Sequence, residues 1–286
     1  MMDLFVRYLQ EEDKSENTIK GYVQSVSGFL NWFDQSKGTE FKKLHRENVR
    51  EYISYLKTVK NSKPKTINTK INALVKFNEF LIESGVQEDR VLTKKDYVKY
   101  QQQYSSLAKF EYKEVEKFRQ LILESGNKRN YALITLLAYT GLRISEALNL
   151  KLKDVDFVAD EIVVKDGKGS KTRIVELGDV VKKALKGWLK ERGKIEGDDY
   201  LFVSNRNKRL DRTTINKIFT NTSQELGMNI TPHDLRHFFC SQCFKIGMDL
   251  REVMTAAGHS NPYTTTQYTH PTKKALKEKM NKLWEG

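Results

Sequence analysis

The chain has 286 residues, with 50 Lys and Arg against 37 Asp and Glu, a formal net charge of +13 that points to an acidic partner. No apolar run approaches the roughly 18 residues of a membrane span, the longest being Ala132 to Tyr139, and two cysteines are too few for a disulfide scaffold. The length favours two domains over one, and Met1 to Asp13 has the charge pattern of neither a signal nor a transit peptide, so a cytoplasmic protein is expected.

The first hundred residues read as helices with short connections. From Ser15, the apolar positions Ile19, Tyr22, Val23, Val26, Leu30 and Phe33 recur with helical period, and Lys20, Gln24, Ser27 and Asn31 lie opposite. A further helix follows Lys63-Pro64-Lys65. It turns Ile67, Ile71, Leu74 and Leu81 inward and Lys65, Thr69, Asn72 and Lys76 outward. Six lysines and no acid occur between Lys57 and Asn78, whereas a merely solvated face mixes signs. Such a helix suits a phosphate backbone, with amides available to base edges. Lys20 and Gln24 extend the candidate nucleic-acid surface. Gly85 closes the helix, and the polar stretch 87–109 reads as a linker between a helical domain at 1–86 and a second domain at 110–286. Both parts are net basic, so both suit one polyanion.

The second domain starts with a helix near Lys113 and a more apolar one from Tyr131 to Tyr139, stopped by Gly141. The period then changes to two. Glu161–Lys165 and Thr172–Leu177 are β-branched strands flanking the hairpin signal Asp166-Gly167-Lys168-Gly169-Ser170-Lys171. Helices resume around Val180, Thr213, Pro232 and Leu250. The fold expected is mainly α with a small antiparallel β-sheet.

Chemistry gathers in this half. Thr231-Pro232-His233-Asp234-Leu235-Arg236 has the grammar of a helix start, with Thr231 as N-cap and Asp234 three residues on. His233 and Arg236 then share one face of the first turn, beside the positive end of the helix dipole, which suits a phosphate. An isolated His-x-x-Arg is usually a cap neighbour and a surface Arg. Three features remove the isolation: Thr140-Gly141-Leu142-Arg143-Ile144-Ser145-Glu146 on a tight turn, Gly258-His259 at a helix end, and Tyr268 nine residues after His259.

With these motifs the chain resembles the tyrosine recombinase family, which includes phage integrases, Cre and the Xer proteins. The resemblance implies a SAM-like core-binding domain and a mixed α/β catalytic domain forming a C-shaped clamp. It implies that Arg143, Lys168, His233, Arg236, His259 and Tyr268 form the catalytic set, with Glu146 in support and Lys171 a competitor to Lys168. It further implies double-stranded DNA recombination sites as partner, a Holliday junction, and a homotetramer on two sites assembled through residues 273–286, where Leu276, Met280, Leu283 and Trp284 make an apolar stripe. That stripe also suits packing on its own domain. No accessory or directionality factor is specified.

The chemistry stands without the name. A phenol with an ordinary pKa near 10 is a poor nucleophile. Guanidiniums and imidazoles around a phosphodiester neutralise the charge that builds on its non-bridging oxygens, and a lysine can protonate the leaving oxygen. A phosphotyrosyl bond keeps the energy of the phosphodiester, so neither cofactor nor metal is implied. Tyr263 lies too close to His259 to replace Tyr268. His237 reads as packing or support, and Cys240 and Cys243 as structural thiols. The alternatives are a type IB topoisomerase, which relaxes DNA with the same chemistry, and an inactive DNA-binding accessory protein.

Overall fold

The computed structural model describes residues 1–100, 109–165, 172–193, 199–206 and 208–258, and the chain divides into two compact units, Met1–Gln103 and Tyr104–Gly286. Four helices build the first: α1 (Met2–Glu11), α2 (Glu16–Lys37), α3 (Arg46–Thr58) and α4 (Pro64–Glu83). Local chemistry sets their ends. The Ser15 side chain caps α2 by accepting from the Thr18 amide, and Gly38 closes it. Phe5, Phe29, Tyr52 and Phe77 meet in the core, and the four α4 positions read as inward are all essentially fully buried.

The stretch read as a linker from residue 87 is, up to Val98, part of this unit. Gln87 is buried and spans Leu44, accepting from its amide and donating to its carbonyl at 3.1 Å each. Asn78 accepts from the Val91 amide at 2.7 Å, and Asn68 pairs with both backbone groups of Val98. The hydroxyl of Tyr97 donates to Asn72 at 2.6 Å. The amides of α4 therefore satisfy the backbone of the chain that follows, a need that composition does not reveal.

The second unit places its most apolar helix, α6 (Lys128–Thr140), at the centre, with Leu133, Leu136 and Leu137 wholly buried. Against it pack α5 (Tyr112–Glu124), α7 (Ile144–Asn149), α8 (Asp179–Arg192) and α10 (Pro232–Lys245), while α9 (Arg212–Glu225) lies on α5 and α7, and α11 (Leu250–Ala257) on α10. Arg119 of α5 is buried against α6, where Thr135, Tyr131 and Tyr139 accept from its guanidinium. The two expected strands, β2 (Glu161–Lys165) and β3 (Thr172–Glu176), pair antiparallel with Val163 opposite Ile174 and Lys165 opposite Thr172. A third strand, β1 (Val155–Asp156), pairs with β2 and is too short for its period to show in the sequence. Ile162, Val164 and Val175 face the core. No described helix is long and apolar enough to cross a membrane.

Candidate active site

The start of α10 follows its sequence grammar. The Thr231 side chain accepts from the Asp234 amide, and the Asp234 carboxylate accepts from the Thr231 amide at 2.8 Å. This capping box, with Pro232 in the first turn, sets His233 and Arg236 on adjacent positions of that turn. Their environments differ. His233 is exposed, whereas Arg236 is only 4% exposed and donates through Nη1 to the Gly141 carbonyl at 2.5 Å. Burial, then the nearby Arg143 charge, lowers the Arg236 pKa to about 10, which leaves it cationic at neutral pH.

Gly141 ends α6 with φ of +62°, and an added Cβ would meet the Phe239 ring at 2.3 Å. Only glycine fits both demands. Two residues on, Arg143 caps α7. Its amide and its Nη1 each donate to the Glu146 carboxylate at 2.7 Å, and its Nη2 donates to the Gly258 carbonyl at 3.2 Å. The Arg143 side chain is still 39% exposed, so its outer edge is accessible.

Glu146 is the buried anion of the site. Burial by itself pushes its carboxyl up, but the hydrogen bonds and charge of Arg173 and Arg143 outweigh burial and hold it at about 2. Arg173 of β3 grips it with both terminal nitrogens, at 3.0 and 2.8 Å. This residue was missed in the sequence. It stands 27 residues from Glu146, and no motif spacing links them. Arg173 also presses on Gly258, which has φ of +67° and whose added Cβ would lie 2.4 Å from the guanidinium. A chain of contacts thus joins α7, β3 and Gly258 at the end of α11. With Arg236, three guanidiniums face one carboxylate, and the surplus of positive charge suits an anion.

Arg143, His233 and Arg236 open on one cleft of about 810 Å³, whose far wall is α9 with Arg212, Asn216 and Thr220. These three polar residues were also missed, since the helical pattern around Thr213 says nothing about which face meets the cleft. The Nε2 atoms of His233 and His237 lie 2.8 Å apart. Burial, then the His233 charge, lowers the His237 pKa to about 4. Cys240 and Cys243 are buried free thiols packed with Val253 and Ala257 of α11, and burial raises them to about 12 and about 11. Lys168, its competitor Lys171, His259, Tyr268, its rival Tyr263 and the 273–286 segment lie outside the described residues.

On the first unit, Lys20, Gln24, Lys65 and Thr69 are exposed. Two other members of the expected surface are engaged. Asn72 accepts from Tyr97, and Lys76 donates to Glu12, at 2.5 Å, and to Glu79, at 2.9 Å. Tyr8 beside it is pushed up to about 12, by burial first and Glu83 second. The acid missing from the α4 sequence window is supplied to Lys76 by Glu12, the residue that follows α1, and by Glu79 on the next turn of α4.

Residues 105–275 match the phage integrase family, and residues 1–88 match the phage integrase N-terminal SAM-like domain. The chain is 46% identical to TnP I resolvase of Bacillus thuringiensis over 98% of both chains. It is 32% identical to tyrosine recombinase XerC of Bacillus subtilis (strain 168), over 96% of this chain and 92% of that one. Among solved structures, XerH site-specific recombinase bound to a palindromic difH substrate in a post-cleavage complex superposes with a TM-score of 0.75 at 25% identity, covering 94% of this chain and 80% of that one. One matched region falls in each compact unit, and the chain belongs to the phage integrase family of tyrosine recombinases.

Proposed function

We propose that the protein is a site-specific DNA recombinase that cuts and rejoins strands through a 3′-phosphotyrosyl intermediate. One observation carries the reading: the buried Arg236 and the clamped Arg143 converge with His233 on a single cleft, beside a carboxylate fully compensated by Arg173 and Arg143. In this reading, the Tyr268 oxygen attacks phosphorus as the bond to the 5′-oxygen breaks, and Lys168, or its competitor Lys171, gives that oxygen its proton. The guanidiniums and His233, with His259, hold the non-bridging oxygens. Removing one such donor commonly costs about 10²- to 10³-fold in rate. Attack by a 5′-hydroxyl then reverses the chemistry on a new partner strand, releases the tyrosine and passes through a Holliday junction.

Double-stranded recombination sites are the substrate. Lys20, Gln24, Lys65 and Thr69 meet DNA from the first unit, and Arg212, Asn216 and Thr220 extend the contact from the active-site cleft. Four protomers on two sites, linked through residues 273–286, complete the assembly. The resemblance to a resolvase supports a role in resolving or moving a mobile element.

Incubating wild type and Tyr268→Phe with nicked suicide DNA in chelator tests the reading. A covalent adduct in wild type alone is expected. Absence of any adduct overturns it in favour of an inactive binding protein. An adduct with plasmid relaxation but no two-site product overturns recombination in favour of a topoisomerase.

A further inference from the structure

His233 stands on an exposed first turn, where an unsupported imidazole has several rotamers open to it. Its ring has support one turn on. The Nε2 atoms of His233 and His237 are 2.8 Å apart, and the rings meet edge to face with centroids 4.2 Å apart and planes at 80°. Two ring nitrogens this close form a hydrogen bond only when one carries a proton and the other does not. The geometry points to His237 as a positioning residue: through this bond it holds the His233 ring at the cleft and lets His233 change protonation state without losing its orientation. This rests on the proposed function in taking His233 as a phosphate ligand.

The physical basis is that His237 stays neutral. Its burial beside His233 keeps its value near 4, well below neutral pH. A neutral imidazole has two tautomers and can serve as donor or acceptor at Nε2. Toward a doubly protonated His233, His237 accepts; toward a neutral His233 with a bare Nε2, it donates. The same contact is made in both states, because either tautomer of His237 places its Nε2 at the contact. An apolar ring at 237 would fill the space and do neither. A glutamine, whose amide both donates and accepts, replaces the function. Among the described residues, the charged groups acting on His237 include Asp234 and Arg236 on α10, and Arg143 on α7 and Arg212 on α9 line the cleft that His233 enters. The Asp234 carboxylate is already engaged by Thr231, so it is a weak competitor for either imidazole.

The experiment compares wild type, His237→Phe and His237→Gln in two measurements. The first is single-turnover adduct formation on nicked DNA across the neutral pH range, with DNA affinity measured in parallel. The second is the imidazole nitrogen spectrum of ¹⁵N-histidine-labelled protein without DNA. His237→Phe is expected to lose about 10- to 100-fold in adduct rate at unchanged DNA affinity and to alter the pH profile, as small misplacements of a catalytic group do. His237→Gln should stay within about threefold of wild type, because the amide keeps the bond. Wild type should show a hydrogen-bonded Nε2 on His233 that the Phe variant lacks. A Phe variant at wild-type rate, a Gln variant as impaired as Phe, or a wild-type His233 with a solvent-exchanging Nε2 would overturn the assignment. The last measurement decides it even if the Phe variant does not fold. Adduct formation that survives Tyr268→Phe would instead refute the functional reading, and the spectra would still judge the histidine pair.

Discussion

Replacing Arg173 with alanine removes the stronger of the two cations that hold Glu146. In the wild type that carboxyl sits at about 2 in place of its ordinary 4.5, which corresponds to about 3 kcal/mol of stabilisation at neutral pH. Glu146 is 8% exposed, so water cannot take over the role of Arg173, and breaking a buried pair on one side costs about 3 to 5 kcal/mol. Because Arg143 stays, the lower end is expected, about 3 kcal/mol. Amide exchange in α6, whose Leu133, Leu136 and Leu137 are fully buried, reports the global opening of this unit and should accelerate by about 100-fold. The α4 amides of the first unit serve as an internal control and should not change. The pH dependence has a definite sign. A depressed carboxyl contributes its full stabilisation above its unfolded value of about 4.5 and loses it as pH falls towards about 2. The gap between wild type and variant should therefore narrow across that window, as Glu146 becomes protonated in both. Unchanged α6 exchange would show that Arg173 adds nothing to the stability of this unit, and a gap that does not vary with pH would show that it acts by packing on Gly258 and not through the carboxylate.

Gly141→Ala places a methyl group where the Phe239 ring lies 2.3 Å away and imposes a left-handed backbone that costs about 1 to 2 kcal/mol. The carbonyl that anchors Arg236 should shift, and adduct formation should fall about 10-fold or more while DNA affinity holds; wild-type cleavage would refute the anchoring role. Arg236→Ala should reduce cleavage about 10²- to 10³-fold with binding largely spared, and a binding loss of similar size would assign Arg236 to docking. Exposed Lys65 and paired Lys76 should separate in a salt titration of DNA affinity. Lys65→Ala should lower the slope of log K against log salt by about 1, whereas Lys76→Ala should leave the slope unchanged and destabilise the packing of α1 on α4. Equal slope losses would mean that Lys76 leaves Glu12 and Glu79 to reach DNA.

Features built from neighbours a few residues apart were legible in the sequence. The inward stripe of α4, the capping box of Thr231 and Asp234, the β2–β3 hairpin and the Gly141 stop each depend on contacts between i and about i+4 or on one residue's backbone preference. His233, Arg236 and Arg143 stand in short motifs, whereas a role for Glu146 followed only from the family resemblance that those motifs carry. The third strand escaped because two residues carry no period. The segment 87–98 escaped because polar composition looks the same whether its backbone is bonded to water or to Asn68, Asn78 and Gln87.

The sequence by itself determined the family, the helical character of both units and some of the cations that line the candidate site, Arg143 and Arg236 among them. Only the tertiary structure decided which cation serves which purpose. Arg236 reaches a carbonyl 95 residues away, Arg173 a carboxylate 27 residues away, and Lys76 an acid 64 residues away. In sequence these are three basic residues among 50. In the fold, Arg236 belongs to the cleft it shares with Arg143 and His233, Arg173 to the support of Glu146, and Lys76 to the packing of α1. A buried charge must find a partner, and that partner is chosen by which elements pack together, a property no local pattern encodes.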